Sequence, residues 1–166
     1  MAVTIDVRAP REGDLVAMAD QAGQLGYPVE PDELRGRLAA VTANDHAAVL
    51  VATDAQDHPI GWLHVELKRT LVAPLTAQIM ALIVDEQARG EGVGKGLVAA
   101  ADAWAAGHGC QRLIVATRVT RERAHRFYLR EGFSLDKTSH FFKKSMAKGR
   151  GDGSEPPPPP RIDGQP

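Results

Sequence analysis

A glycine-rich stretch at residues 89–95, Arg-Gly-Glu-Gly-Val-Gly-Lys, has the residue types that point most directly to chemistry in this chain. It lies between an apolar, strand-like run at residues 79–84 and a helix-like run that begins near Gly92. Glycines carry no β-carbon, so a ligand can approach the backbone, and the first turn of a helix offers free N–H groups and a positive dipole end. The stretch therefore predicts a phosphate-binding site.

Two better-known glycine signatures do not fit these residues. A P-loop would place its first glycine at Arg89 and its hydroxyl residue at Gly96. A dinucleotide-binding fingerprint that starts at Gly90 would need a glycine at Lys95, and the register two residues later would need one at Leu97. Both classes of nucleotide site are therefore excluded.

Arg89, Gly92 and Gly94 resemble instead the Arg-x-x-Gly-x-Gly pyrophosphate loop of the GCN5-related N-acetyltransferase (GNAT) family. Downstream, residues 124–133 resemble the second signature of that family, a helix that ends in Phe-Tyr-x-x-x-Gly-Phe. The two motifs follow in the family's order over about residues 76–146. The resemblance implies an α/β (α+β) GNAT fold, with a central mixed, mostly antiparallel sheet of about seven strands flanked by about four helices.

The resemblance also implies acetyl-CoA as co-substrate. Its pantetheine arm would run beside the strand that precedes the glycine loop and pair with the strand's backbone, and an amide near Ile83 or Val84 would face the thioester oxygen. Its pyrophosphate would lie on the amides of the loop. The implied acetyl-CoA-binding residues are Leu82, Ile83, Val84, Arg89, Gly90, Glu91, Gly92, Val93, Gly94 and Lys95.

Tyr128 matches the tyrosine that many members of the family place beside the coenzyme sulfur as a general acid. A phenol has an ordinary pKa of about 10, so it can protonate a departing thiolate. The competing interpretation is an aromatic side chain that only packs on the buried face of its helix. The two-motif context favours the catalytic role.

The general base is open. Some relatives carry a glutamate and an asparagine before the tyrosine, but Ala116 and Arg121 stand at those positions, so the subgroup that acetylates ribosomal protein N-termini is not indicated. Glu66, which shares a strand face with His64, is a candidate catalytic residue. A solvated strand residue and a water chain are the alternatives.

The composition excludes several classes of protein. With 166 residues, 43% of them hydrophobic, the chain is long enough for one domain with a core. A net charge of −1 gives no reason to expect nucleic acid or an anionic membrane as partner. Cys110 is the one cysteine, the six histidines lack metal-ligand spacing, and no run of about 18 apolar residues occurs. We expect a cytoplasmic protein without a metal.

Periodicity and turn residues divide the chain into alternating elements. Helices are expected from an N-cap at Asp14, after Pro31, from Val93 to about residue 107, and from an N-cap at Thr120 to Gly132. Strands are expected at residues 3–7, 47–53, 60–67, 76–84, 113–116, 133–135 and 141–146.

Residues 1–146 are thus interpreted as the N-acetyltransferase domain. The Gly- and Pro-rich residues 147–166 are interpreted as a disordered tail, because they cannot bury enough apolar area to offset the entropy of ordering. A spacer is favoured over a ligand for a proline-binding domain.

The leading functional hypothesis is direct transfer of an acetyl group from acetyl-CoA to a primary amine of a small molecule or protein. The alternative is a catalytically inactive acyl-CoA-binding regulatory module. Residues 125–128, His-Arg-Phe-Tyr, resemble members often labelled aminoglycoside-type acetyltransferases, but the chain shows no concentrated acidic cluster. The acceptor and a homodimeric state are left open.

Overall fold

The structure is a computed structural model that describes residues 4–146. The predicted tail at residues 147–166 lies outside the described residues. The chain divides into two compact units, Met1–Ser134 and Leu135–Pro166. All the helices and strands found in the described residues belong to the first unit.

The first unit is built on a five-stranded sheet with the spatial order β1-β2-β3-β4-β5. Neighbours β1 to β4 pair antiparallel, whereas β5 pairs parallel to β4, so the expected mixed, mostly antiparallel sheet is confirmed. The strands are β1 (Asp6–Arg8), β2 (Ala47–Thr53), β3 (Pro59–Lys68), β4 (Thr76–Val84) and β5 (Arg112–Val115).

Four helices accompany the sheet, as expected. They are α1 (Leu15–Gln24), α2 (Pro31–Val41), α3 (Val93–Gly107) and α4 (Glu122–Arg130), and short 3-10 turns lie at Glu12–Asp14 and Glu86–Ala88. Helix α2 begins with Pro31 followed by two acidic residues, which suits the fixed φ of proline and the positive end of the helix dipole. None of the helices in residues 4–146 combines the length and apolarity needed to cross a bilayer.

Strand alternation directs side chains into two separate cores. Leu63 and Val65 of β3 face the core that α3 covers, whereas Trp62 of β3 and Ile83 of β4 face the core beside α1 and α2. The sheet is therefore covered by helices on both faces along β3 and β4.

The expectation of about seven strands is wrong for the described residues, because no strand forms at residues 133–135 or 141–146. Residues 141–144 read Phe-Phe-Lys-Lys, two apolar residues followed by two basic ones, which does not give a strand one apolar face. The large apolar side chains of this part are exposed: Leu135, Phe141, Phe142 and Met146.

Two helix starts also differ from expectation. Asp14 occupies the N-cap position of α1 but makes no capping hydrogen bond; its carboxylate accepts two bonds from the Arg8 guanidinium, at 2.7 and 3.0 Å, and one from the Arg11 amide. Helix α4 has Arg121 at its N-cap, so the assignment of Thr120 is wrong. At Asp14, the ion pair with Arg8 of β1 takes the place of the expected capping hydrogen bond.

Candidate active site

The strand that precedes the glycine loop, β4, is paired unequally on its two edges. Its β3 edge is paired from Thr76 to Val84, but its β5 edge is paired only from Thr76 to Ile79. Within the described residues, the backbone of residues 80–84 therefore has an open edge on the β5 side. Unpaired strand edges are templates for an added extended chain.

A bulge in β4 lies where the pairing with β5 ends. His64 lies opposite Ala81 and Val65 lies opposite Ile79, so Met80 is the extra residue. A bulge bends its strand and increases the local twist. The bulge lies where the pairing of β4 with β5 ends, and we call the space along the unpaired edge of residues 80–84 the groove.

The hydrogen bond that follows β4 shows which amides face this groove. The Asp85 amide donates to the Ile60 carbonyl on the β3 side, at 3.0 Å. Successive residues of a strand direct their N–H groups to opposite edges, so the Val84 amide and then the Leu82 amide point to the open edge. The amide of Ile83 points to β3. Of the two amides expected to face a thioester oxygen, the geometry favours Val84.

The glycine loop begins α3 and leaves its first amides free for a ligand. Gly90 and Gly92 adopt left-handed backbone, with φ of 87° and 88°, which a side chain would strain. The first intrahelical bond runs from the Gly96 amide to the Gly92 carbonyl, at 3.0 Å. The amides of residues 93–95 precede it and have no carbonyl partner within the helix, which is what the predicted anion site requires.

Arg89 has a contact that the sequence did not reveal. Its Nε donates to the Val84 carbonyl at 3.2 Å, and its Nη1 lies 3.8 Å from the Glu86 carboxylate. The guanidinium thus ties the loop to the end of β4. It also leaves positive charge next to the open edge of the strand.

Gly94 brings α4 to the glycine loop. A β-carbon on Gly94 would lie 3.1 Å from two ring carbons of Phe127 and 3.8 Å from Cγ2 of Val84. This glycine therefore allows the close packing of β4, α3 and α4 at one point. The predicted loop, the predicted strand segment and the helix that carries Tyr128 meet there.

Tyr128 is held by aromatic packing on both sides. Its ring makes edge contacts with Phe127 and Phe133, at centroid distances of 5.1 and 5.3 Å. Burial disfavours the phenolate and raises the pKa of Tyr128 to about 12, although the charge of Arg121 opposes the shift. The hydroxyl stays protonated at neutral pH. Among residues 4–146 no group accepts its hydrogen bond, so it can donate to a ligand.

His64 and Glu66 form a pair on the α1 and α2 face of β3, with 3.0 Å between Nε2 of His64 and Oε1 of Glu66. Burial lowers the pKa of His64, and the negative charge of Glu66 opposes that shift. His64 is directly opposite Ala81, on the opened half of β4, whereas Glu66 is opposite Gln78, before the bulge. Of the pair, His64 is closer to the groove.

The sequence reasoning missed two residues that shape the site. Gly61 of β3 lies opposite Val84, and a β-carbon there would be only 2.8 Å from the Ile83 carbonyl oxygen. Gln24 at the end of α1 hydrogen-bonds Asp85 and the Glu86 amide, at 3.1 and 3.0 Å. A glycine inside a strand pattern signals a close backbone approach, so Gly61 was detectable; Gln24 carried no local signal.

Taken together, the structure combines an α/β sheet whose strand β4 has an open edge, a glycine loop with free amides at a helix start and a helix that carries a protonated tyrosine. These features suit an extended, phosphate-bearing ligand. Comparison with known proteins assigns the domain. The description "Acetyltransferase (GNAT) family" matches residues 11–133. The chain belongs to this family and is an acetyl-CoA-dependent N-acetyltransferase.

Three known proteins illustrate the relationship. The aminoglycoside N(6')-acetyltransferase type 1 of Stenotrophomonas maltophilia is 27% identical over 144 residues, which cover 84% of this chain and 93% of that protein. The aminoalkylphosphonate N-acetyltransferase of Salmonella typhimurium is 40% identical over 70 residues, 42% of this chain and 44% of that protein. The aminoglycoside 6'-N-acetyltransferase AAC(6')-Ih of Acinetobacter baumannii superposes with a TM-score of 0.76 at 18% identity, covering 87% of this chain and all of that one (100%).

Proposed function

We propose that the chain moves an acetyl group from acetyl-CoA directly to a primary amine of a small molecule, with Tyr128 as the general acid. The observation that carries the proposal is the contact at Gly94, which brings the open edge of β4, the free amides of α3 and the helix of Tyr128 together. The acceptor class is supported by the two relatives above, which by name acetylate aminoglycosides and aminoalkylphosphonates.

The donor would be held almost entirely by backbone. The amides of residues 93–95 bind the pyrophosphate, and the open edge of residues 80–84 pairs with the pantetheine arm. The Val84 amide donates to the thioester oxygen and stabilises the negative charge that develops there. The Arg89 guanidinium holds the Val84 carbonyl, so it fixes the peptide that follows this amide.

Proton transfer would use side chains on two sides of the groove. Tyr128 donates its proton to the departing thiolate. Its raised pKa keeps the phenol protonated, and so able to donate, at neutral pH. The amine proton passes to the His64–Glu66 pair, directly or through water. His64 with a lowered pKa is neutral at pH 7 and can accept a proton, and Glu66 stabilises the cation that forms.

The test is thiol release from acetyl-CoA over a panel of aminoglycosides, aminoalkylphosphonates and peptide amines, with Tyr128→Phe beside the wild type. We expect the variant to lose roughly 10²- to 10⁴-fold in kcat, because general acid catalysis is worth about that much. Its acetyl-CoA affinity, measured by calorimetry, should stay nearly unchanged. Tyr27→Phe is the matched control, since Tyr27 is the other tyrosine and is 52% exposed.

The outcomes separate the proposal from its alternatives. Equal loss of kcat and affinity in Tyr128→Phe would make the tyrosine structural. Acetyl-CoA binding without thiol release for any amine would support the regulatory module instead. Turnover with peptide amines alone would move the acceptor class from small molecules to proteins.

A further inference from the structure

Helix α4 exposes a row of three arginines, Arg123, Arg126 and Arg130, at spacings of three and four residues. These spacings place them on one side of the helix over about 10 Å of its length. We call them the arginine row. The proposed acetyl transfer uses none of these three side chains.

The arginine row borders the glycine loop through Phe127. The Arg130 guanidinium carbon lies 5.7 Å from the centroid of the Phe127 ring. The same ring also lies close to Gly94, in the first turn of α3, where an added β-carbon would be 3.1 Å from two of its carbons. Two contacts therefore connect the arginine row to the amides that bind the pyrophosphate in the proposed function.

The charge of the row is poorly compensated. Residues 118–130 contain five arginines and a single glutamate, in a chain whose formal net charge is −1. Arg126 lies 3.8 Å from Glu122, and Arg130 lies 3.5 Å from Glu131; both arginines are 71% exposed. Ion pairs as exposed to solvent as these contribute little to stability. Arg123 has no carboxylate within ion-pair distance among residues 4–146.

Acetyl-CoA carries a third phosphate group on its ribose, next to the pyrophosphate. A phosphomonoester has a charge of about −1.5 to −2 at pH 7 and three acceptor oxygens. Arginine matches such a group with paired donors, and a row offers several guanidinium groups within reach of one ligand. We propose that the arginine row binds the 3'-phosphate of acetyl-CoA and makes the enzyme select it over the dephospho form. This inference rests on the proposed function, because the pyrophosphate site sets the position of the ribose.

The experiment compares two probes, acetyl-CoA and acetyl-dephospho-CoA, by calorimetric affinity and by KM. We expect the wild type to bind acetyl-CoA more tightly by at least about tenfold, the size of one charge-assisted contact. In Arg126→Gln with Arg130→Gln the two affinities should come within about twofold, because only acetyl-CoA has the phosphate that the row contacts. Affinity for acetyl-dephospho-CoA should not change.

A second variant of the arginine row and a control variant on α2 complete the test. Arg123→Gln with Arg126→Gln leaves the Arg130–Phe127 stack intact and should also reduce the preference for acetyl-CoA. Arg37→Gln removes the same charge from α2, where Arg37 is 63% exposed and paired with Glu33, and should leave the preference unchanged.

Three results would overturn the inference. The wild type could bind both probes equally, the variants could lose affinity for both probes in parallel, or the control could change the preference as much as the row does. Failure of the proposed function is a different result, since the wild type would then bind neither probe. A row that instead serves a nucleic acid would leave the ratio of the two probes near one.

Discussion

The variant Gly61→Ala tests whether close packing against β3 holds β4 in place. We call β4 the coenzyme strand, because its open edge pairs with acetyl-CoA in the proposed function. The added β-carbon would lie 2.8 Å from the Ile83 carbonyl oxygen, 3.3 Å from Cα of Val84 and 3.1 Å from Cγ1 of Val93. The first two are backbone atoms of β4, and Val93 is only 1% exposed. None of the three is the free end of a flexible side chain, so β4 itself must move.

The magnitude follows from two opposing effects. Overpacking of this kind costs about 1–3 kcal/mol, while replacing a strand glycine by alanine returns about 0.5–1 kcal/mol. The free energy of unfolding of Gly61→Ala should therefore fall by about 1–2 kcal/mol, which lowers the Tm by roughly 2–8 °C in a domain of this size. A shift of Ile83 and Val84 by a few tenths of an ångström should also lower kcat/KM by roughly three- to tenfold, since 1 Å of misplacement can cost 10².

The assays are chemical denaturation and acetyl-CoA turnover, with Gly36→Ala as the matched control. Gly36 lies in the exposed interior of α2, and a β-carbon there would meet nothing within 4 Å. Alanine should stabilise that helix by about 0.5–1 kcal/mol and leave turnover unchanged. If Gly61→Ala were as stable and as active as Gly36→Ala, the close approach of β3 to the coenzyme strand would have no consequence.

Two further predictions concern charge. Asp14→Ala leaves the Arg8 guanidinium, 13% exposed, without its bidentate partner and should cost about 3 kcal/mol of unfolding free energy, whereas Asp57→Ala at a 51% exposed carboxylate should cost less than about 1 kcal/mol. Denaturation at neutral pH compares them, and equal losses would contradict the burial argument. Because the folded state lowers the pKa of His64, its neutral form contributes stability that is complete above about pH 6.5 and is lost as the pH falls through the lowered value. His64→Gln should reduce the loss of stability as the pH falls below about 6.5, and an unchanged slope there would show that the imidazole is not the titrating group.

Most helices and strands could be predicted because their signals are local. The strands at Ala47–Thr53 and Thr76–Val84 and the helix at Val93–Gly107 agree with the sequence interpretation, since apolar periodicity and flanking glycine or proline act within a few residues. The prediction of strands at residues 133–135 and 141–146 was wrong for a related reason. A short apolar run is a necessary feature of a strand, but it becomes one only when another backbone pairs with it.

The candidate site likewise has features that the local sequence predicts and features that it does not. The left-handed glycines at 90 and 92 and the start of α3 follow from residue type, because only the backbone of the loop is involved. The bulge at Met80 could not be read from residues 76–84, since it exists only in the register between β3 and β4. The same holds for the pairing of His64 with the opened half of β4.

The sequence by itself determined that a helix starts at a glycine loop, that a strand leads into it and that a Phe-Tyr helix follows, because each depends on neighbours along the chain. The tertiary structure alone decided that β4 separates from β5 after Ile79, that the Val84 amide faces the gap and that Phe127 rests on Gly94. These features join residues that are far apart in the chain, and strand register and packing contacts between such residues leave no pattern within any single segment.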